Sequence, residues 1–193
     1  MDAFEAVIAT TLQRQGFWTL TSAKVELTKE EKREIGRHSS PRWELDIVAY
    51  RGRDNYLRVV ERKSYLDSPG EDCNAFDGSN KKAQERYKLF CDDTLRKVVL
   101  RRLESQLVDG AFCRSKPKIQ LCLAAGKIKG DEKWLESHFK SKGWLLLGPT
   151  YIRTELSKLK DSGYENSVAA IVTKLLLRNA AGDSSSRGID ADV

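Results

Sequence analysis

Three charged side chains with the types and spacing of a catalytic site lie in two segments that are rich in apolar residues. Asp46 stands within Trp43–Tyr50, and Glu61 and Lys63 stand at the end of Tyr56–Lys63. Both segments have the β-branched and aromatic composition that predicts strands, whereas carboxylates are depleted from strands and are rarely buried without a partner. Because side chains alternate across a strand, Glu61 and Lys63 lie on one face. Two acids and one amine in these positions indicate a site that binds a cation.

The relation of Asp46 to the other two residues depends on the turn between the strands. A two-residue loop at 53–54 places Asp46 opposite Glu61, and a loop at 54–55 places it opposite Lys63 and diagonal to Glu61. Both registers put the three side chains on one face, within roughly 4.5–8 Å of one another. An odd-numbered loop or a bulge would break this arrangement.

Two carboxylates at this distance repel each other, and a divalent cation between them would remove that repulsion. Oxygen ligands favour Mg²⁺ or Mn²⁺ over zinc. Such a metal can polarise a phosphoryl oxygen and activate water, and Lys63 would orient that water or stabilise negative charge on the phosphate. The alternative is a simple cross-strand salt bridge between Asp46 and Lys63 on a half-exposed face.

A third acid, Glu5, lies in the first predicted helix. It precedes Ile8 and Ala9 by three and four residues, so it borders the side of the helix that faces inward. From there its carboxylate could point at the sheet and complete a metal site. Alternatively, it only stabilises the helix dipole, as acids in a first turn commonly do.

With these elements the chain resembles the PD-(D/E)XK nuclease superfamily, which includes restriction endonucleases and Holliday-junction resolvases. The matching parts are Glu5 in the first helix, Asp46 on the second strand and the Glu61-Arg62-Lys63 triplet on the third. The predicted order of helix, three strands, helix and strand also matches the family's core, over about residues 2–125.

The resemblance implies roles for these residues. The acids corresponding to Asp46 and Glu61 bind metal in that family, the lysine corresponding to Lys63 assists catalysis, and the backbone carbonyl corresponding to Arg62 often helps to bind the metal. This sequence departs from the family at Leu45, which stands where the proline of the motif's name would be. The identification therefore depends on spacing and element order together.

The surrounding pattern predicts an α/β fold, with one restriction-endonuclease-like mixed β-sheet flanked by helices: an αβββαβ core with an added C-terminal strand and helices. We expect one domain at 1–179 and a disordered tail at 180–193. The other expected elements are a helix ending near 15–16, a strand at 17–27, a connector at 28–41, a loop at 64–80, helices at 81–90, 94–108 and 131–142, strands at 119–124 and 143–147, and two closing helices.

Candidate contacts to nucleic acid follow the loop. Polar and basic residues of the next helix are expected to reach phosphates, although a solvated helix face would have the same composition; they are Lys81, Lys82, Gln84 and Arg86. Related nucleases carry a Gln and a Tyr on the corresponding helix, here Gln84 and Tyr87, but Tyr87 also fits simple core packing. The loop at 65–80 is a candidate for substrate gating.

Composition limits the partners. Lys and Arg number 34 against 28 Asp and Glu, and the resulting net charge of +6 favours a polyanionic partner. Four cysteines without a Cys-x-x-Cys pair and only two histidines predict free thiols and no closed zinc site. No apolar run reaches the roughly 20 residues that cross a bilayer, and the first residues lack the features of a secretory signal. We therefore expect a cytoplasmic protein without a membrane partner.

These observations predict a Mg²⁺- or Mn²⁺-dependent nuclease that acts on nucleic acid, with DNA favoured over RNA. The alternative is a catalytically silent, nuclease-like nucleic-acid-binding subunit of a defence or repair complex. A basic protein-interaction domain is a third reading. A homodimer and a subunit of a larger complex would both fit this chain.

Overall fold

The structure is a computed structural model that describes residues 2–36, 42–163 and 167–178. The chain divides after Pro149 into two compact units. The elements that begin in the first unit are α1 Ala3–Arg14, β1 Trp18–Val25, α2 Lys29–Glu34, β2 Trp43–Arg51, β3 Tyr56–Lys63, β4 Glu71–Asp72, α3 Lys81–Gln84, α4 Lys88–Cys91, α5 Asp93–Asp109, β5 Lys118–Ala125, β6 Ile128–Lys129, α6 Glu132–Ser141, β7 Leu145–Leu147 and α7 Pro149–Ser157. The second unit holds the rest of α7 and α8 Val168–Arg178.

A five-stranded mixed sheet forms the centre of the first unit, in the order β1-β2-β3-β5-β7. The first three strands are antiparallel, and β3, β5 and β7 are parallel. A separate parallel pair joins β4 to β6. Helices flank the five-stranded sheet, so the predicted mixed α/β class is confirmed.

The two faces of the sheet are covered by different helices. One face packs against the apolar stripe of α5 and against α6; the buried helix residues in this cluster are Leu95, Val98, Val99, Leu103, Leu107, Leu135 and Phe139. The other face receives α1, whose Ile8 and Leu12 are fully buried outside that cluster. Because both faces are covered, β5, which lies between β3 and β7, is a nearly continuous apolar run rather than an alternating one.

Some predicted elements differ from the structure. The connector at 28–41 contains α2, which begins with a capping box in which Thr28 and Glu31 satisfy each other's backbone N–H groups. The single helix expected at 81–90 is two short helices, α3 and α4. They are separated around Tyr87, which has a non-helical backbone and only 2% exposure. Burial of this ring outweighs the local helical preference.

The expected disordered tail at 180–193 lies outside the described residues, and the boundaries of the predicted domain stay a prediction. Within the described ranges, no helix is both long enough and apolar enough to span a membrane.

Candidate active site

The β2–β3 hairpin has the first of the two predicted registers. Ile47 pairs with Val60, and the pairing continues in step to Arg51 and Tyr56 at the turn. The same register, extended by one residue beyond Ile47, leads to Glu61 as the residue opposite Asp46. The strands are joined by the four residues 52–55 rather than by the predicted two-residue loop, and this even number preserves the register.

Regular strand pairing is interrupted at Asp46. The pairing of β2 with β3 ends at Ile47, and its pairing with β1 skips Ser22, whose φ is 50°. Leu45 and Val48 both belong to the cluster that faces α5, although strict alternation would place them on opposite faces. Asp46 thus lies at a local irregularity in the sheet, of the kind that redirects a side chain.

The Asp46 carboxylate is directed between β2 and β3. Its Oδ2 atom accepts a hydrogen bond from the backbone N–H of Arg62 at 2.8 Å. The N–H and C=O groups of one strand residue point to the same side, so the Arg62 carbonyl also faces β2. The side chain of Asp46 therefore takes the place of a backbone partner, and one carboxylate and one carbonyl oxygen lie on the same side of β3.

This environment strongly affects the pKa of Glu61. Burial raises its pKa from 4.5 to about 7, the nearby Lys63 ammonium opposes that rise, and the charges of Asp46 and Glu71 add to it. Its Oε2 atom is shielded from solvent and has no hydrogen-bond partner among the described residues. A partly buried carboxylate with a neighbouring acid and an unpartnered oxygen favours either a proton or a bound cation.

Glu71 is a further acid near Lys63, in a segment that the sequence predicts to be a loop. It is 1% exposed on β4 and accepts a hydrogen bond on Oε2 from the Tyr87 hydroxyl. Burial raises its pKa to about 7, while the Tyr87 hydrogen bond and the Lys63 charge oppose the rise. No local pattern marks this residue, because its burial depends on the long-range pairing of β4 with β6.

Lys63 lies near both Glu61 and Glu71. Its charge acts on both Glu61 and Glu71, and its Nζ atom is 6.0 Å from the centre of the Tyr87 ring. In the part of the chain that the structure describes, no ion pair joins Lys63 to Asp46. The simple cross-strand salt bridge considered from the sequence is therefore not formed.

Glu5 lies beside the Arg62 side chain. Arg62 alternates with Glu61 and Lys63, so its guanidinium points to the opposite face, towards α1. There it forms an ion pair with Asp2, and its Nη2 atom is 3.6 Å from Glu5 Oε2. Glu5 is 2% exposed, and its Oε1 atom has no hydrogen-bond partner among the described residues.

No three Asp, Glu, His or Cys side chains are placed to hold one metal ion within 2–36, 42–163 and 167–178. The structure therefore brings Asp46 and Glu61 together but does not add Glu5 to them as a third ligand. Glu5 instead compensates the Arg62 guanidinium, which explains its burial in a first turn. The metal roles of all three acids stay predictions.

The candidate nucleic-acid contacts are dispersed. Lys81, Lys82 and Arg86 are exposed, and Gln84 is partly buried. Arg86 lines a cavity beside Glu71, whereas Gln84 lines a different one near α6. Tyr87 is buried, as expected for core packing. These contacts to nucleic acid also stay predictions.

Comparison with family models gives no match, and comparison with curated protein sequences gives none. Among solved structures, the crystal structure of a protein of unknown function, AF1548, is similar. Its TM-score is 0.46 at 18% sequence identity, over 91% of this chain and 77% of that chain. At this level the likeness identifies neither a family nor an activity.

Proposed function

We propose that this protein is a divalent-metal-dependent nuclease with a restriction-endonuclease-like fold that hydrolyses phosphodiester bonds, with DNA as the favoured substrate. One observation carries the proposal. Asp46 and Glu61 are neighbours at an interruption of the sheet, Glu61 retains a buried oxygen without a partner, and Lys63 lies next to Glu61.

The donor set fits Mg²⁺ or Mn²⁺. Mg²⁺ keeps several of its waters in proteins and is commonly held by one or two carboxylates together with substrate phosphates. Asp46 and Glu61 would supply the carboxylates, and the Arg62 carbonyl on the same side of β3 would supply a third oxygen. The two-carboxylate arrangement does not suit a closed zinc site, which needs four side-chain ligands. When bound, the metal would polarise the phosphoryl oxygen and lower the pKa of a water ligand.

Three residues of the chain would have separate roles around the bound metal. The Arg62 N–H fixes the orientation of the Asp46 carboxylate. Glu61 must lose its proton to act as a ligand, so metal binding and deprotonation are coupled. The Lys63 ammonium supplies a positive charge where negative charge develops on the phosphate, in a partly buried environment that strengthens its effect.

The arrangement of elements and the net charge are consistent with the same proposal. The order α1, β1, β2, β3, α5, β5 is the core order that the resemblance to the PD-(D/E)XK superfamily implies, with the short α2, α3 and α4 inserted. The net charge of +6 favours a polyanionic substrate.

Cleavage of plasmid and single-stranded DNA with Mg²⁺, Mn²⁺ or EDTA tests the proposal. We expect metal-dependent cleavage that falls by at least about 100-fold in Asp46→Asn, Glu61→Gln and Lys63→Met, because each change removes charge that acts on the transition state. Glu44→Gln is the matched control, since Glu44 is an exposed acid on the same strand as Asp46. Unchanged cleavage in the three site variants would show that this site is not the catalyst.

A second candidate is a catalytically silent, nuclease-like subunit that only binds nucleic acid. The absence of a three-ligand metal group from the described ranges favours it. Such a protein would bind nucleic acid equally well in EDTA and in Mg²⁺ and would never cut it. The nuclease would cut nucleic acid, and only when the metal is present.

A further inference from the structure

A cavity of about 260 Å³ adjoins the candidate active site. Tyr87 and Glu71 form part of its wall, and both also interact with Lys63. Glu71 and Tyr87 thus lie between the cavity and Lys63. The role proposed for Lys63 does not involve the cavity. A bound group in the cavity would lie next to the position of the reacting phosphate.

The walls of the cavity are held by backbone contacts. Glu71 N–H donates to the carbonyl of Lys127 at 2.8 Å, and Lys127 Nζ donates to the Ser68 carbonyl at 2.7 Å. Gly70 has a φ of 108°, and a Cβ there would lie 3.0 Å from the backbone of Ile128. This close approach, together with the β4–β6 pairing, fixes the loop after β3 against the segment after β5.

The lining combines two tyrosines with two acids, Glu71 and Asp72, and two basic residues. Tyr65 and Tyr87 line the cavity, and their hydroxyl groups are 3.3 Å apart. Arg86 and Lys129 also line it, and both side chains are exposed. Aromatic surfaces beside exposed cations are the combination that binds unstacked bases together with their phosphates.

We propose that this cavity takes one unpaired base next to the scissile phosphate, so that the preferred substrate is a single strand or a splayed end rather than continuous duplex. The inference rests on the proposed nuclease function and specifies its substrate. Tyr65 would supply the stacking surface, and Arg86 and Lys129 would contact the flanking phosphates.

Size favours an unpaired base over larger ligands. Pockets for complete drug-sized ligands occupy roughly 300–1,000 Å³, so the cavity suits one heterocycle better than a nucleotide pair. A base within a duplex is stacked and paired, and it must leave the stack before it can enter a recessed cavity. A base in a single strand needs much less free energy to do so.

Binding is measured with the Asp46→Asn variant in EDTA, so that neither metal nor cleavage enters the result. Fluorescence anisotropy compares a short single-stranded DNA with its own duplex. We expect single-strand binding to weaken roughly 5- to 100-fold when Tyr65→Ala is added, because one base–aromatic stack is lost. Duplex binding should not change, and Tyr65→Phe should retain single-strand binding because it keeps the ring.

Arg86→Ala gives an independent measurement that does not depend on a partly buried residue. For single-strand binding, the logarithm of the binding constant falls linearly with the logarithm of the salt concentration. Loss of one phosphate contact should make this slope shallower by about 0.7. Lys97→Ala, which removes an exposed cation of α5, is the matched control and should leave the slope unchanged.

The outcomes separate the two proposals. Equal affinity for single strand and duplex, or single-strand binding that is unchanged in both Tyr65→Ala and Arg86→Ala, would overturn the cavity assignment even if the protein cleaves DNA. Selective loss of single-strand binding in those variants would support it even if the wild type with Mn²⁺ cuts nothing, in which case only the nuclease proposal fails. No binding to either DNA would overturn the cavity assignment outright.

Discussion

The raised pKa of Glu61 makes a prediction about stability that needs no substrate. The folded protein holds this carboxyl with a pKa of about 7 against an ordinary value of 4.5. Between these values the folded state binds more protons than the unfolded state, so stability falls as pH rises through this window. At 1.36 kcal/mol for each pKa unit, the difference corresponds to roughly 3 kcal/mol of destabilisation once pH exceeds 7.

Glu61→Gln removes that pH dependence because the amide cannot ionise. The variant should exceed the wild type by less than about 1 kcal/mol near pH 5 and by up to roughly 3 kcal/mol near pH 8, in EDTA. Glu71 has a similar pKa and remains in the variant. The stability of the variant should therefore still fall as pH rises, but by less than that of the wild type. Urea denaturation at several pH values between about 5 and 8 measures both effects.

Glu44→Gln serves as the control for loss of a strand carboxylate, because Glu44 is exposed. Its stability curve should run parallel to that of the wild type. If Glu61→Gln showed the same decline with pH as the wild type, the Glu61 carboxyl would not be held in a desolvated position beside Asp46 and Glu71. The electrostatic basis of the proposed site would then be wrong.

Three further predictions follow from particular contacts. Mg²⁺ at 100 times its dissociation constant should stabilise the wild type by about 2.7 kcal/mol; thermal unfolding near pH 8 should show this gain, and Asp46→Asn should abolish it. Tyr87→Phe should destabilise the fold by roughly 1–3 kcal/mol, because the buried Glu71 loses its hydroxyl donor; urea denaturation that matched the wild type would contradict this. Gly126→Ala should distort the loop after β3 and weaken single-strand binding, because a Cβ there would lie 2.4 Å from the Ser64 carbonyl; unchanged anisotropy would show that this contact is not needed.

The sequence was most informative where the relevant forces are local. The apolar periodicity around Asp46 and Glu61 predicts two neighbouring strands, and a short polar turn between them requires an antiparallel pair. Alternation then places Glu61 and Lys63 on one face without any tertiary information. The helix predicted at 94–108 is likewise confirmed as α5, whose buried residues recur at helical spacing.

Tertiary structure decided the features that depend on distant segments. The direction of the Asp46 side chain, towards the Arg62 N–H, goes with an interruption of the β1–β2 pairing that the sequence does not reveal. The burial of Glu71 also depends on a distant segment, because β4 pairs with β6, and no local sequence pattern predicts it. A charged side chain that is removed from water requires a specific compensating group, and that group can come from any part of the chain. Periodicity therefore predicted where Glu61 and Lys63 lie, whereas only packing could bring Glu71 to Tyr87 and Glu5 to Arg62.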